Sequence, residues 1–200
     1  MQRDRIRRHV ATGVTSAFAL AGQGLYAHAL EIPSHVHLSA DDRKALFGNG
    51  PADEVLLCGP KKQLSIAVVP RQTSRTLVQI TITQARQLGI EGVRIFTGNW
   101  SDCRGCVLRG PHGQLTLENT VSASARHLHI SDEQAHHYNI ANGQLIYAQI
   151  ASEQRTLTYG DVLVRAGKVK VELPQLHLDH DEATAAGLTS GQYVKLMKTL

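Results

Sequence analysis

Apolar and polar residues alternate along this chain in short runs bounded by turn residues, with few stretches at helical spacing. The alternation predicts strands over 55–57, 64–69 and 77–82, and again over 145–150, 156–164 and 168–173. Ser39 precedes Asp41 and Asp42, and Ser131 precedes Asp132 and Glu133, which reads as two helix N-caps with carboxylates where the helix dipole favours them. Thr83 and Asp181 are read as the N-caps of two further short helices that stop at Gly89 and Gly187. Many short strands with sparse helices predict small barrels rather than a βαβ sheet.

The patterns repeat. His35-Val36-His37-Leu38-Ser39 returns as His127-Leu128-His129-Ile130-Ser131. The segment from Gln79 through Ala85 to Gly89-Ile90 returns as His177 through Ala183 to Gly187-Leu188. A third echo relates Gly59-Pro60-Lys61-Lys62-Gln63-Leu64 to Gly110-Pro111-His112-Gly113-Gln114-Leu115, each a turn between alternating strands. The expected fold is therefore mainly β with short α-helices, built as two related small β-barrel domains from an internal duplication. The expected boundaries are an N-terminal extension over 1–26, a first half over 27–95, a Gly-rich linking segment over 96–117 and a second half over 118–200.

Composition narrows the classes. Of 200 residues, 42% are hydrophobic and 19% charged, which suits a folded chain and excludes wholesale disorder. No run of about 18 apolar residues occurs, so no helical membrane span is expected. Aromatic residues are 4%, too few for a base-stacking platform. The net charge of +4 is concentrated in the tail: Arg3, Arg5, Arg7 and Arg8 against Asp4 leave the remainder nearly neutral, so no nucleic-acid partner is expected. For residues 1–29 three readings stay open. Ala27-His28-Ala29 fits a signal-peptide cleavage site, Ile6, Val10, Val14 and Phe18 fit one stripe of a docking helix, and a plain tail fits the polar residues between them.

Histidine is abundant, at eleven residues. Residues i and i+2 of a strand share a face, so His35 and His37 point together, as do His127 and His129. Zinc accepts imidazole nitrogen and takes three protein ligands when one position is kept open. The duplication supplies the third member of each set, giving His127, His129 and His177, and a weaker set of His35, His37 and Gln79. Arg126 directly precedes the second pair and suits bidentate anion capture; Arg71, Arg75 and Arg165 are further candidates. Cys58, Cys103 and Cys106 are too few for a disulfide framework and favour a reducing compartment. The single C-x-x-C, Cys103 to Cys106, lacks a second pair and so does not complete a structural zinc site.

Residues 30–200 resemble the PduL-type phosphate propanoyltransferases, the phosphotransacylases of bacterial microcompartments. The likeness rests on HVHLSADDRKALFG, EVLLCGP, TLVQITITQARQLGI, SARHLHIS and LHLDHDEATAAGL. The resemblance implies two β-barrel domains holding two zinc ions, with one ion on His35, His37 and the residue at Gln79, and the other on His127, His129 and His177. It implies zinc-dependent transfer of a short acyl group, propanoyl or acetyl, between CoA and phosphate, with CoA as substrate. Catalytic arginines would be Arg126, Arg165 and Arg71, and Cys103 and Thr184 occupy positions of the family's CoA-binding Ser and Asn. It further implies a cytoplasmic protein that an N-terminal helix can direct to a microcompartment lumen and its shell or cargo proteins; a homo-oligomer is left open.

The chain departs from the family at several places. The family's Glu ligand is Gln79, a neutral amide, so the first site should hold zinc more weakly. The Arg of the family's GPLR has no direct counterpart, and Arg71 or Arg75 is the nearest substitute. The segments before the first His-x-His and before Glu54 are short. Two rivals follow: a catalytically impaired zinc-binding paralogue associated with microcompartments, and a dinuclear hydrolase using Glu54, Asp179 or Asp181.

Overall fold

The structure is a computed structural model that describes residues 24–96, 98–168 and 171–198. In chain order its elements begin with β1 (Tyr26–Glu31), β2 (His35–His37), α1 (Ala40–Phe47), β3 (Glu54–Cys58), β4 (Gln63–Val68), β5 (Leu77–Gln79) and α2 (Ile82–Leu88). A short 3-10 turn at Trp100–Asp102 leads into β6 (Arg104–Gly110) and β7 (Gly113–Ser122). The remainder comprises β8 (His127–Ser131), α3 (Asp132–His137), β9 (Leu145–Ala151), β10 (Thr156–Gly167), β11 (Gln175–Leu178), α4 (His180–Ala186) and β12 (Tyr193–Met197).

The strands close into two barrels of six strands each, as the duplication implied. One runs β2-β4-β3-β6-β7-β5, within residues 33–124. The other runs β8-β10-β9-β12-β1-β11, from residues 125 onward together with the segment ending at Ile32. Replacing β2, β3, β4, β5, β6 and β7 by β8, β9, β10, β11, β12 and β1 converts one order into the other. Pairing directions agree too: β2 is parallel to β4 as β8 is to β10, and β5 is parallel to β7 as β11 is to β1.

This exchange moves the expected boundaries. Residues 104–122, read partly as a linker, supply two strands of the first barrel, because β6 pairs with β3 and β7 with β5. Residues 27–31, read as part of the first half, lie in the second barrel, where Ala27 and Ala29 are fully buried. A signal-peptidase cut after Ala29 would therefore remove most of a barrel strand. The candidate helix stripe at Ile6 to Phe18 lies outside the described residues. β10 ends at Gly167 and β11 begins at Gln175, so the strand expected over 168–173 does not form at 171–173, and 169–170 are outside the described residues.

Helix starts follow side-chain capping. Ser39 and Ser131 cap α1 and α3 as read. The caps of α2 and α4 are Thr81 and Asp179, two residues before Thr83 and Asp181. Each accepts from the backbone N–H of N3, Gln84 or Glu182, whose own side-chain oxygen accepts from the cap N–H. This earlier start also shortens β5, which ends at Gln79 rather than at Ile82.

The barrel interiors are apolar. Val36, Leu57, Ile66, Val78, Leu108 and Val121 fill the first, and Leu128, Ile146, Ile150, Val162, Leu176 and Leu196 fill the second. Among the described residues no helix is long and apolar enough to cross a membrane.

The Gly-Pro echo has a packing cause. In the β3–β4 turn the Gly59 Cα faces the end of α2, and a Cβ there would lie 2.4 Å from the Leu88 carbonyl oxygen. In the β6–β7 turn a Cβ on Gly110 would lie 2.5 Å from the Leu46 carbonyl at the end of α1. Lys61 and His112 N–H groups donate to those same carbonyls at 2.9 and 3.0 Å. Each hairpin therefore caps the exit of a helix, and only glycine admits the approach. Gly59→Ala and Gly110→Ala are each expected to destabilise the protein by about 1–3 kcal/mol through overpacking against backbone. Urea unfolding checks this, with unchanged midpoints counting against the close approach.

Candidate metal centre

In the second barrel β8 presents Leu128 and Ile130 inward, so alternation turns His127 and His129 to the other face. β11 runs antiparallel beside β8 with His177 directly opposite His127. The ring centroids of His127, His129 and His177 lie 4.7–5.0 Å apart. One ligand nitrogen from each falls within 4.8 Å of the others, and Nε2 of His127 is 3.1 Å from Nε2 of His129. Two ligands of a tetrahedral zinc with bonds of 2.0–2.1 Å stand about 3.3 Å apart, so the His127–His129 pair has a ligand–ligand spacing, and His177 offers a third donor within 4.8 Å. The Nδ1 of His127 donates to the Ala125 carbonyl at 2.8 Å, which leaves the Nε2 lone pair for a cation.

Electrostatics agree with ligand chemistry. Burial lowers His127 from 6.5 to about 3, aided by Arg165, His177 and His129. Burial lowers His177 from 6.5 to about 4, aided by His129 and Arg165. Both rings are therefore neutral near pH 7, the form that ligates metal. Arg165 stands opposite His129 on β10, and its charge reaches the cluster.

The first barrel repeats the arrangement with a weaker third member. Gln79 on β5 stands directly opposite His35 on β2. The His35 and His37 rings are 4.8 Å apart, and their Nδ1 atoms are engaged by the Pro33 and Val69 carbonyls at 2.9 Å each. His35 thus bonds two residues back, as His127 does. Burial lowers the His37 pKa, with lesser contributions from His35 and Arg71. Among the described residues no His, Cys, Asp or Glu joins this pair in a three-donor cluster.

Other candidates are placed as follows. Arg126 directly precedes β8, and its Nε donates to Glu182 Oε1 at 2.6 Å. Its Nη1 donates to the Gly160 carbonyl at 3.0 Å, and its guanidinium lies 4.9 Å from the Tyr159 ring centre. Arg75 stacks over Trp100 at 4.5 Å. Cys103 is buried beneath the surface after the 3-10 turn, whereas Thr184 is exposed on α4. Burial raises the Cys103 thiol and pushes Cys106 up to about 11, so both stay as thiols and are poor nucleophiles at neutral pH. Glu54 is an exposed acceptor for Ser65, and Asp179 is the α4 cap; among the described residues the three-donor group contains histidines alone. His180 pairs with Glu31 at 2.7 Å, away from the triad that His177 completes.

The profile of the family described as phosphate propanoyltransferase matches residues 51–189. The chain belongs to this family. A phosphate propanoyltransferase of Thermotoga maritima is 31% identical over 182 aligned residues, covering 82% of this chain and 85% of its own. One from Salmonella typhimurium is 32% identical over 170 residues, covering 76% and 80%. Membership makes this chain a phosphotransacylase by class. Within that class, the histidine cluster is where sequence and geometry coincide.

Sequence reading missed Glu182, Gln84 and Tyr159. The Thr81-x-x-Gln84 and Asp179-x-x-Glu182 spacings were the available signal, since a capping residue followed three positions later by Glu or Gln marks a capping box.

The buried imidazoles dictate an acid response. In the unfolded chain His127 and His177 take up protons near 6.5, but in the fold only near about 3 and about 4. Across that window the unfolded state binds more protons, so metal-free stability falls as pH drops from 6.5 toward 4 and levels off near 3. The fall in urea midpoint is expected to be shallower in His127→Gln. Parallel profiles for the two proteins would contradict the burial described.

Proposed function

We propose that this phosphotransacylase interconverts a short acyl-CoA, propanoyl or acetyl, plus phosphate with the acyl phosphate plus free CoA, using zinc held by His127, His129 and His177. The convergence of those three imidazoles, with His127 and His177 held neutral by burial, carries the reading. In the forward direction a phosphate oxygen attacks the thioester carbonyl carbon, the C–O bond forms, the C–S bond breaks, and CoA leaves as the thiolate. Bound zinc supplies Lewis acidity toward the thioester carbonyl and the departing sulfur.

The chain's own groups orient the reaction. The Ala125 carbonyl holds His127 in the tautomer with Nε2 outward. Arg165, whose charge reaches the triad, is assigned to phosphate, with Arg71 beside His37 as a second anion-binding group. Holding phosphate in line with the carbonyl converts a bimolecular encounter into a positioned one. His35, His37 and Gln79 are assigned a second zinc, held more weakly because an amide oxygen is a poorer donor to zinc than an imidazole nitrogen. Cys103 and Thr184 are assigned to CoA by their place in the sequence. The N-terminal extension over 1–26 is assigned to microcompartment targeting from the cytoplasm, and full cargo loading after its removal would refute that.

A second reading is a catalytically impaired zinc-binding paralogue associated with microcompartments. That no third His, Cys, Asp or Glu joins His35 and His37 among the described residues favours it.

Thiol release from acyl-CoA, with and without phosphate and before and after chelation, separates the two. Zinc-loaded protein is expected to release thiol only with phosphate, and absence of that activity supports the impaired paralogue. His177→Ala should lower the rate by at least about 100-fold and remove zinc, since even outer partners of metal ligands are worth roughly 10–100-fold. Gln79→Glu should raise zinc content per chain. Unchanged zinc by elemental analysis in both variants would overturn the ligand assignment.

A further inference from the structure

Arg126 combines the position expected of an anion-binding arginine with contacts that are all internal. Its guanidinium donates to Glu182 Oε1 at 2.6 Å and to the Gly160 carbonyl at 3.0 Å. Tyr159, over whose ring the guanidinium lies, donates its hydroxyl to the Glu182 backbone carbonyl at 2.6 Å. Glu182 is in turn the N3 residue of the capping box with Asp179. These links therefore join the residue before His127 to the helix turn that begins two residues after His177.

The same latch recurs elsewhere in the fold. In the first barrel Ser34, the residue before His35, donates to Gln84 Oε1, and Gln84 is the N3 residue of the α2 capping box. By the duplication Ser34 corresponds to Arg126 and Gln84 to Glu182. The residue before β5 behaves alike: Thr76 donates to the carboxylate of Asp42, which follows the α1 cap Ser39 by three positions, and accepts from the Ser39 N–H at 2.9 Å. Three strand starts are thus tied to the first turn of a helix that follows a neighbouring strand. At the other two positions the serine and threonine hydroxyls are spent on those helix turns. In the second barrel the latch is ionic and largely buried, with side-chain exposures of 23% for Arg126 and 14% for Glu182.

We propose that Arg126 is a positioning residue: its bond to Glu182 fixes the His127 and His177 strands in the register that brings their imidazoles together. The proposal rests on the metal reading above and extends it to a residue that touches no substrate. An ion pair from the residue that opens β8 to the first turn of the helix that follows β11 ties together the ends of the two paired strands that carry His127 and His177. Arginine suits this because its planar fork serves the carboxylate and the Gly160 carbonyl at once, which a lysine ammonium does less well.

The test uses the full-length protein loaded with Co2+, whose visible absorption reports ligand geometry, and takes as signal the part lost in His177→Ala. Arg126→Met and Glu182→Gln are expected to weaken Co2+ binding by about 10–100-fold and to alter the spectrum, as loss of outer partners does. Arg126→Lys should recover part of both, and the Arg126→Met/Glu182→Gln double variant should be little worse than either single one. A second readout needs no metal: the Nδ1–H signal of His127, held by Ala125, should be present in NMR spectra of the parent and lost in Arg126→Met. Unaltered Co2+ affinity, spectrum and Nδ1–H signal in folded Arg126→Met overturns the proposal, and a rise in phosphate KM alone would return Arg126 to substrate binding. If Arg126→Met does not fold, Arg126→Lys and Glu182→Gln decide it, and parent-like behaviour of both overturns it. Absence of any Co2+ signal sensitive to His177→Ala would instead sink the metal reading, leaving the Nδ1–H signal to judge the latch.

Discussion

Barrel closure over an apolar interior governs everything else in this protein. A strand projects successive side chains to opposite faces, so Leu128 and Leu176, committed to the interior, force their neighbours His127, His129 and His177 to the outside. Closure also aligns β8 with β11, strands almost fifty residues apart in sequence, and thereby sets two imidazoles side by side. The cluster is then buried enough that the His127 and His177 rings shed protons. A cation is the partner that such neutral, converging nitrogens accept best.

The duplication makes the two barrels a natural comparison. Both place a His-x-His strand opposite a third polar residue, and both hold the first histidine by a carbonyl two residues back. They differ at that third residue, imidazole in one and amide in the other. An amide oxygen is a weaker donor than imidazole toward zinc and adds no charge, so equal folds do not imply equal metal affinity. The latches differ in the same sense, hydroxyl to amide in the first barrel and guanidinium to carboxylate in the second. Among the described residues the three-donor histidine group and the ionic latch both fall in the second barrel.

How much was legible varied with the range of the interaction. Strand alternation, the Ser39 and Ser131 caps and the histidine repeat depend on neighbouring residues, and they read directly from the chain. The caps of α2 and α4 were displaced by two residues because several Thr and Asp residues compete there, and only the return bonds from Gln84 and Glu182 decide between them. Arg126 looked like an anion binder because its neighbours are histidines. Its partner, Glu182, is 56 residues away, and no local pattern announces that pairing.

The sequence by itself determined the class of fold, the twofold repetition and the three residues that can hold an ion, because periodicity and duplication are written in residue spacing. Tertiary structure alone decided which barrel owns which strand. β1 leaves its sequence neighbours to complete the second barrel, and β6 and β7 complete the first, since a barrel closes only where an open edge finds unpaired N–H and C=O groups of matching register. That closing step is a long-range pairing, and no local run of residues encodes it.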